Sequence, residues 1–410
     1  MHVMFVHPNV YSQFTPLAWH LSTERRWQCT VVSAMDASHL KLPFNHVGYP
    51  VAGRPPSRDP PAISTLEQKL EHLKSVYVTL KRIPAIRPDV VVGHLSFGTV
   101  LYLRNLYRDA RFVGYFEWLP GRFWTDDLVR RPEYPPSEGV RLGMATYHAL
   151  TTVQLHAVDR AYSPTVFQRA SAPPELQYKI ETAFDGVDTE TFRPREVPRP
   201  ARIGGVELPP GVKVVTYVSP GLESIRGFDV FMQVAKRVCR ARDDVVFLVA
   251  GEGRTVYGHE TDHLQGRSFK DHVLASDEFP LDRIRFLGRI PLEELARLFN
   301  LADAHVYLTV PFTLSWSLVQ AMASGCVVVG SATAPVEEVI DDGVHGLLAE
   351  FHDADGLARR VLAVLDDPAA RGRLGAAASA RVAQRYSREV CFERLARLFD
   401  ADAAGGSAGR

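Results

Sequence analysis

Short runs of apolar residues alternate with amphipathic, helix-like segments along most of the chain. The runs that have the character of buried strands lie at residues 3–6, 29–32, 90–93, 112–115, 214–218, 245–250, 284–287 and 327–329. Because most of these runs are apolar throughout rather than at alternate positions, both faces of each strand must be covered, which is typical of parallel sheets flanked by helices. The pattern therefore predicts an α/β fold built from doubly wound sheets.

A proline-rich segment interrupts this alternation near the middle of the chain. Between residues 193 and 210, five prolines fall in a stretch without helical or strand periodicity, as expected for a linker between domains. We therefore expect one domain over residues 1–194, a second over 195–385, a helix over 386–400 that could pack back on the first domain, and a disordered tail over 401–410. Two doubly wound domains of this kind would face each other across a cleft, because α/β sheets bind ligands at the carboxyl ends of their strands.

Charge and composition argue against several classes of protein. The 410 residues carry 47 Lys plus Arg against 47 Asp plus Glu, whereas nucleic-acid-binding proteins are usually strongly basic. No stretch approaches the roughly 20 continuous apolar residues of a membrane span, and the apolar opening is too short for a secretion signal, so we expect a cytoplasmic protein. The four cysteines are scattered without a CxxC pair, which argues against a zinc site or a disulfide framework.

The most informative motifs lie in the last third of the chain. They are RFLGRIP at 285–291, ADAHVYL at 302–308, SLVQAMASGCVVV at 317–329 and EVIDDG at 338–343. Further motifs precede them, namely HPN at 7–9, YSPT at 162–165, DGVD at 185–188 and RGF at 226–228.

In this order, the motifs resemble those of the retaining, nucleotide-sugar-dependent glycosyltransferases of family four. The resemblance covers nearly the whole chain and extends to a subgroup with a Phe-Glu turn and a Pro-Phe-x-Leu-Ser-Trp-Ser run, which lie here at 116–117 and 311–317. It implies the GT-B fold, with two Rossmann-like domains, the N-terminal one for the acceptor and the C-terminal one for the sugar donor. It also implies no metal, and no cofactor beyond the nucleoside-diphosphate sugar that serves as co-substrate.

The Pro-Phe-Thr-Leu-Ser-Trp-Ser run has the features of a helix start that binds a diphosphate. A helix N-terminus presents free backbone N–H groups and the positive end of the helix dipole to an anion. Thr313 or Ser315 can cap the helix that follows, and the diphosphate would then meet the backbone N–H groups of Trp316 and Ser317. Residues 301–350 contain six acidic residues and neither Lys nor Arg, so a cation for the diphosphate must come from elsewhere.

Arg226 is our candidate for that cation. It follows the strand at 214–218 by one loop, where the family places a Lys or Arg on the diphosphate, and the adjacent Gly227 permits close approach of the backbone. A solvated surface arginine is the alternative interpretation. The resemblance also implies that a loop holds the nucleobase through its backbone. The further predicted donor contacts are Gly288, Arg289 and Ile290 in that loop, and Phe312, Leu314 and Gln320 around the helix start.

Three positions depart from the family pattern on the donor side. The broad family has two glutamates eight positions apart, one on the donor sugar and one on the ribose hydroxyls, where this chain has Phe312 and Gln320. An amide still offers an acceptor and adds donors, but it lacks the charge that strengthens a carboxylate hydrogen bond. Pro220 stands where the family usually has an arginine, and it supplies neither charge nor N–H. These departures leave the nucleotide identity and the donor affinity open.

Glu117 and His94 are the candidate catalytic residues. Each follows a predicted strand, at 112–115 and 90–93, so both lie at carboxyl ends where ligands bind. Many family members have a His at the position of Glu117. Retaining transfer passes through an oxocarbenium-like state, and a carboxylate can either stabilise that charge or remove the acceptor proton. A structural hydrogen bond is the alternative role for Glu117, and His94 could be a base or a structural residue.

The other predicted cleft and acceptor residues lie in the loops around these two. They are His7, Asn9, Ser12 and Gln13 after the first strand, Ser96 and Phe97 after His94, and Trp118, Arg122 and Trp124 after Glu117. Ser12 takes a position where the family often has Gly. The long loop of prolines and aromatic residues that contains Trp124 suggests a specialised acceptor pocket.

The leading interpretation is a retaining glycosyltransferase that moves a sugar from a nucleoside diphosphate to a hydroxyl or thiol of a small acceptor, in specialised metabolite or glycoconjugate biosynthesis. Its partners would be the donor and the acceptor, without nucleic acid or an integral membrane segment. A degenerate relative that binds a nucleotide or a partner without transfer is the main alternative, and another reaction on the same fold, such as epimerisation or phosphorolysis, is a third. The sugar, the nucleobase, the acceptor and the oligomeric state stay open, a homodimer being one option.

Overall fold

The computed structural model describes residues 1–37, 39–51, 61–97, 100–119, 131–198 and 200–400, with residues 61–65 as backbone only. The chain divides into two compact units. The first comprises Met1–Arg122, Glu138–Asp185 and Cys391–Arg410, and the second comprises Phe123–Ser137 and Gly186–Val390. The predicted tail and the predicted residues Arg122 and Trp124 lie outside the described residues.

The first unit is built on a parallel sheet that has seven strands among the described residues. The strands are β1 His2–Val6, β2 Gln28–Ser33, β3 Asn45–Gly48, β4 Val90–His94, β5 Arg111–Tyr115, β6 Arg160–Ser163 and β7 Ile180–Thr182. Their order is β3-β2-β1-β4-β5-β6-β7, with Val3 opposite both Cys29 and Val90. The helices of this part are α1 Phe14–Thr23, α2 Pro61–Lys81, α3 Glu138–Ala157 and α4 Val166–Ala170.

The second unit has a six-stranded parallel sheet in the described part of the chain, preceded by an antiparallel hairpin. The strands are β8 Ala201–Ile203 and β9 Val206–Leu208 in the hairpin, then β10 Lys213–Gly221, β11 Val245–Glu252, β12 Ile284–Gly288, β13 Ala304–Tyr307, β14 Val328–Ser331 and β15 Leu347–Ala349. The sheet order is β12-β11-β10-β13-β14-β15. The helices are α5 Phe228–Ala241, α6 Phe269–Ser276, α7 Leu292–Leu301, α8 Trp316–Ala323, α9 Ala334–Glu337, α10 Ala354–Asp366 and α11 Pro368–Arg385.

The C-terminal helix α12, Arg388–Asp400, belongs to the first unit from Cys391 onward. Its side chains Phe392, Leu395 and Phe399 are almost fully buried in the same core cluster as Phe5 of β1. A chain end that crosses to the other unit in this way exchanges solvent contact for apolar burial, which stabilises by about 25 cal/mol per Å².

The eight predicted strands are all present, with small changes at their ends, and both sheets are parallel as predicted. Every residue of β1 is buried, as is every residue of β4, which is why their sequences are apolar without alternation apart from one terminal histidine in each, His2 and His94. The sequence suggested a linker without helical or strand structure in the proline-rich segment. This is wrong, because the segment contains the β8–β9 hairpin. Gly204 and Gly205 form the hairpin turn with φ values of 53° and 81°, a conformation that favours glycine.

The strand order reverses at one point in each sheet. In the first unit the reversal lies between β1 and β4, and in the second unit it lies between β10 and β13. Loops that leave the carboxyl ends of the two strands at such a point diverge, which leaves a crevice where α/β proteins bind ligands. The loops after β1 and β4 therefore line one such crevice in the first unit, and the loops after β10 and β13 line another in the second unit. None of the described helices has the length and apolar character needed to cross a membrane.

Candidate functional site

Arg226 lies in a tight turn beyond β10, in the second unit. The turn is a 3-10 segment over Ser224–Arg226 that ends at Gly227, whose φ is 65°. A Cβ atom at Gly227 would lie 2.9 Å from Leu308 Cβ, so both the backbone conformation and the available space favour glycine. The Tyr217 hydroxyl donates a 2.7 Å hydrogen bond to the Arg226 carbonyl, which fixes the end of the turn.

The Arg226 guanidinium is buried, and its side chain is held by hydroxyls and aromatic rings. Only 4% of the residue is exposed. Its Nη1 donates to the Thr309 hydroxyl at 2.9 Å and lies 3.5 Å from the Tyr307 hydroxyl. The rings of Phe312 and Tyr257 have their centroids 5.2 Å and 5.7 Å from the guanidinium carbon. The alternative of a solvated surface arginine is wrong, because the side chain is almost inaccessible.

Among the described residues, no carboxylate lies within ion-pair distance of Arg226, and its buried Nε has no hydrogen-bond partner. The buried Glu223 carboxylate interacts with Arg226 at longer range: burial raises the pKa of Glu223, and the Arg226 charge opposes that rise. A buried charge costs free energy unless an opposite charge and hydrogen bonds compensate it. Hydroxyl groups and ring faces provide part of that compensation. The arrangement therefore has the chemistry of a site that an anion completes.

The helix start after β13 is connected to Arg226 through a hydroxyl group. Ser315 is the N-cap of α8, and its Oγ accepts a 3.3 Å hydrogen bond from the Ser317 N–H, so Ser315 rather than Thr313 caps the helix. The Ser315 N–H donates to the Tyr307 hydroxyl at 2.9 Å. Tyr307 thus contacts both Ser315 and Arg226. Because the Ser317 N–H is engaged by the cap, its predicted contact with an anion would have to share that hydrogen.

The remaining predicted donor residues differ in their positions. Leu314, like Phe312, is buried next to the start of α8, whereas Trp316 is 45% exposed and Gln320 is half-buried one turn further along the helix. Gly288 ends β12 with a φ of 65°, and β11 separates that strand from β10. Arg289 is exposed, and Ile290 packs against the core cluster that contains the β8–β9 hairpin. The role of this loop in holding a nucleobase stays a prediction.

In the first unit, the structure brings the two predicted catalytic residues together. His94 ends β4, and its Nε2 lies 3.5 Å from Glu117 Oε2. The His94 ring is buried against the rings of Tyr115 and Phe97, with centroids 4.8 Å and 4.5 Å away. The Glu117 side chain, in contrast, is 41% exposed. The pair therefore consists of a carboxylate that solvent or a substrate can reach and an imidazole that packs behind it.

A backbone hydrogen bond indicates how the His94 ring is oriented. The Ser96 N–H donates to His94 Nδ1 at 3.3 Å. A nitrogen that accepts a hydrogen bond carries no proton, so the ring hydrogen of this tautomer is on Nε2, which is the atom nearest Glu117. In this arrangement the Nε2 hydrogen faces the Glu117 carboxylate. A role of His94 as a base stays a prediction.

The loop after β1 places a second histidine beside the pair. The His7 ring lies 5.5 Å from the His94 ring and 5.0 Å from the Phe97 ring. Burial, together with the charge that His94 would carry, lowers the pKa of His7 to about 3. The His7 ring is therefore neutral near neutral pH, and its Nδ1 accepts a 2.9 Å hydrogen bond from the Asn9 N–H. His7 thus packs beside the Glu117–His94 pair, and its role in the acceptor cleft stays a prediction.

The other predicted acceptor residues surround this pair. Asn9 is exposed, and Ser12 and Gln13 are half-buried directly before α1. Ser96 is buried, and its carbonyl accepts a hydrogen bond from Lys69 Nζ. Phe97 is exposed by 36%, while Trp118 is buried.

Several residues of these sites were missed by the sequence analysis. Thr309 and Tyr307 were missed although a hydroxyl at the end of a buried strand is a recognisable signal. Lys69 lies far from the motifs, on α2, where its Nζ also sits 4.8 Å from the centroid of the Tyr147 ring. Burial lowers the pKa of Lys69 to about 8. Only the folded structure brings this lysine to the Ser96 loop.

Two family models match the chain. Residues 25–192 match a model described as glycosyl transferase family 4 group, and residues 212–367 match one described as glycosyl transferases group 1. A D-inositol 3-phosphate glycosyltransferase from Catenulispora acidiphila is 29% identical over 232 residues, which is 56% of this chain and 53% of that relative. The chain spans about half the length of the curated relatives it matches.

Solved structures resemble the chain over nearly its whole length, and two of them illustrate the match. Sucrose-phosphate synthase from Thermosynechococcus elongatus has a TM-score of 0.74 at 16% identity, covering 99% of this chain and all of that one. The Anabaena HepE protein in complex with UDP-glucose has a TM-score of 0.67 at 14% identity, covering 98% of this chain and all of that one. At such identities the likeness shows the fold. The chain thus has the GT-B fold of two Rossmann-like domains, and it matches glycosyltransferase family models in both parts, family 4 group in the N-terminal part and group 1 in the C-terminal part.

Proposed function

We propose that this protein is a retaining glycosyltransferase that moves a sugar from a nucleoside-diphosphate sugar to a hydroxyl or thiol of a small-molecule acceptor, in specialised metabolite or glycoconjugate biosynthesis. The observation that carries the proposal is the buried Arg226 guanidinium, which has no carboxylate within ion-pair distance among the described residues and whose Nε has no hydrogen-bond partner. The diphosphate of the donor supplies the missing anion. The two glycosyltransferase domain models and the UDP-glucose bound by HepE support this choice of anion.

The donor contacts follow from the second unit. Arg226 forms charge-assisted hydrogen bonds to the diphosphate. The N-terminus of α8 adds the positive end of its dipole, and Tyr307 and Ser315 keep that terminus in a fixed relation to Arg226. Gln320, on the same helix, hydrogen-bonds the ribose hydroxyls in place of a carboxylate.

The acceptor chemistry follows from the first unit. In the transfer, the bond between the anomeric carbon and the diphosphate oxygen breaks, and a bond from that carbon to the acceptor oxygen or sulfur forms on the same face of the sugar. Glu117 either takes the acceptor proton or stabilises the positive charge that develops on the sugar ring. His94 directs its Nε2 hydrogen to Glu117 and holds the carboxylate in place. His94 is therefore a positioning residue in this proposal rather than the base.

The proposal includes catalysis without a bound metal. A guanidinium and a helix N-terminus together neutralise a diphosphate leaving group, which is the task that a divalent ion performs in other enzymes. Treatment with excess EDTA should leave the rate of transfer unchanged. A rate that falls on chelation and returns on addition of Mg²⁺ or Mn²⁺ would contradict this part of the proposal.

The test of the function uses purified protein and a panel of UDP-, GDP-, ADP- and dTDP-sugars. We expect calorimetric binding of at least one of them and slow donor hydrolysis that accelerates when a suitable acceptor is added. The absence of both binding and hydrolysis across the panel would contradict the proposal. Product formation that does not depend on an acceptor would favour epimerisation, and dependence on inorganic phosphate would favour phosphorolysis.

A nucleotide-binding protein without transfer activity is the second candidate. Gln320 and Pro220 favour it, because each removes a charged group that the broad family uses on the donor. It predicts nucleoside-diphosphate binding without donor hydrolysis and without product for any acceptor. The exposed carboxylate of Glu117 beside His94 favours the enzyme, because a protein that only binds nucleotide has no use for this pair.

A further inference from the structure

A short segment of the chain after the Glu117 turn is built into the second unit. This segment, Arg131–Pro135, which we call the strap, lies in sequence between β5 and α3, both of which belong to the first unit. The strap itself lies within Phe123–Ser137 and so belongs to the second unit. The excursion gives the second unit residues that come from the middle of the acceptor half of the sequence.

Arg131 joins the two ends of the turn that carries Arg226. Its Nη1 donates to the Ser224 carbonyl at 2.8 Å, and Nη1 and Nη2 form a bidentate pair with the Asp229 carboxylate at 3.0 Å and 2.5 Å. Ser224 begins the 3-10 turn, and Asp229 lies in the first turn of α5. Arg226 and Gly227 are enclosed between these two contacts. The Arg131 side chain is 3% exposed, so water competes little for the groups that form these hydrogen bonds.

The Ser224 carbonyl that accepts from Arg131 also closes the turn. It accepts a 2.9 Å hydrogen bond from the Gly227 N–H, the bond that defines the direction in which Arg226 leaves the turn. On its other side, Ser224 donates to the fully buried Glu260, through its hydroxyl at 2.7 Å and through its N–H at 3.2 Å. Ser224 is thus held from both sides, by Arg131 and by Glu260. Removing Arg131 would release one of these two sides.

The strap is anchored at its other end as well. The Tyr134 ring packs edge-on against Phe269 at 5.5 Å, and its hydroxyl lies 3.4 Å from His272 Nε2. The Pro135 carbonyl lies 2.7 Å from His263 Nε2. These contacts position Arg131 from the strap side, so the position of the guanidinium does not depend on the Asp229 pair alone.

From this arrangement we infer that Arg131 is a positioning residue for donor binding: through Ser224 and Asp229, the strap that follows the acceptor-side Glu117 turn sets the geometry in which Arg226 meets the donor diphosphate. The inference rests on the proposed function, because it assigns the diphosphate to Arg226. Arg131 acquires a role in donor binding although it contacts neither the predicted anion site nor the Glu117–His94 pair. No motif of the sequence indicated this role. Its consequence is that a change in the acceptor half of the sequence alters affinity for the donor.

The experiment compares Arg131→Met and Arg131→Lys with the wild type and with Arg283→Met. Arg283 is a matched control, since it is a partly buried arginine of the same unit that donates to the Arg242 and Cys239 carbonyls, away from the Arg226 turn. Binding of UDP, GDP and ADP, and of the corresponding nucleosides, is measured by calorimetry. KM is measured separately for the donor sugar and for the acceptor.

We expect Arg131→Met to weaken the binding of the nucleoside diphosphate by tenfold or more and to raise the donor KM by a similar factor. The affinity for the nucleoside and the acceptor KM should stay within twofold of the wild-type values. Arg131→Lys keeps the positive charge but cannot form the bidentate pair, so its diphosphate affinity should lie between those of the wild type and Arg131→Met. Arg283→Met should leave the diphosphate affinity within twofold. The exchanged pair Arg131→Asp with Asp229→Arg should recover part of the lost affinity.

Diphosphate binding that is unchanged in Arg131→Met would overturn the inference and leave the proposed function standing. Equal losses in Arg131→Met and Arg283→Met would overturn it too, because they would report a general loss of packing. A wild-type protein that binds none of the three diphosphates would overturn both the inference and the proposed function.

Discussion

The Tyr307 hydroxyl accepts a 2.9 Å hydrogen bond from the backbone N–H of Ser315, the residue that caps α8. The same hydroxyl lies 3.5 Å from Arg226 Nη1. One side chain at the end of β13 therefore sets the distance between the two groups that we assign to the donor diphosphate. Burial raises the pKa of Tyr307, so the phenol stays protonated and can act as both donor and acceptor.

Replacement of Tyr307 by Phe should weaken donor binding by about fivefold, since a single neutral hydrogen bond contributes about 1 kcal/mol. The donor KM should rise accordingly, while the acceptor KM and the fold stay unchanged. Tyr49→Phe is the control, because it removes a buried hydroxyl that contacts His72 in the other unit. Donor KM values that rise equally in both variants would argue against a role for Tyr307 at the donor site.

Glu117→Gln should lower kcat by about a hundredfold or more, which is the usual effect of losing a group that transfers a proton or stabilises charge. The amide retains the size of the side chain and a hydrogen-bond acceptor for His94 Nε2. Nucleoside-diphosphate affinity, measured by calorimetry, should therefore stay at the wild-type value. A loss of nucleotide binding together with turnover would mean that Glu117 has a structural role.

Gln320→Glu should change the choice of nucleotide or the donor affinity more than it changes the acceptor KM. A carboxylate makes stronger hydrogen bonds to ribose hydroxyls than an amide does, and Gln320 is half-buried on α8, where such bonds are worth more than in water. Donor and acceptor KM values, determined for each nucleotide-sugar that the wild type accepts, would check this. Equal effects on both constants would speak against ribose contact.

Acidification should destabilise the second unit through His305. This residue is fully buried, its Nε2 has no hydrogen-bond partner, and burial lowers its pKa to about 3 from the ordinary 6.5. Between these two values the unfolded chain binds a proton that the folded chain does not, so the free energy of unfolding falls as the pH falls, by up to about 1.4 kcal/mol per pH unit. Above pH 6.5 both states are neutral, and this contribution vanishes.

The variant His305→Asn keeps an acceptor near the Thr216 hydroxyl, which lies 3.0 Å from His305 Nδ1, but it cannot titrate. Urea unfolding at pH 7 and pH 4 should therefore show a smaller acid-induced loss for the variant than for the wild type, by about 3 kcal/mol. Parallel losses in the two proteins would show that His305 does not carry this dependence.

Most of the sheet architecture could be predicted from the sequence, because a strand covered on both faces is apolar at nearly every position, and β1 and β4 are apart from one terminal histidine each. The β8–β9 hairpin was missed, since its three-residue strands are too short for a periodicity and the prolines on either side suggested a linker. The Gly204-Gly205 pair was the available signal, because two adjacent residues with positive φ form a tight hairpin turn.

At the candidate site, the position of Arg226 could be predicted but its environment could not. The sequence places it after a strand and before Gly227, which is enough to suggest a phosphate contact. That its charge is buried among Tyr307, Thr309 and Phe312 depends on the packing of β10 beside β13, which brings loops about 80 residues apart into contact. The role of Arg131 could not be predicted for the same reason, since its carboxylate partner Asp229 is 98 residues away in the sequence.

Calorimetric titration of UDP, GDP and ADP into the wild type and into Arg226→Met tests the central claim most directly. We predict that at least one diphosphate binds the wild type, that its nucleoside binds at least tenfold more weakly, and that Arg226→Met abolishes this preference for the diphosphate, since a charge-assisted contact of this kind is worth about 1.5–3 kcal/mol. A diphosphate that binds no better than its nucleoside, or that binds Arg226→Met as tightly as the wild type, would contradict the account.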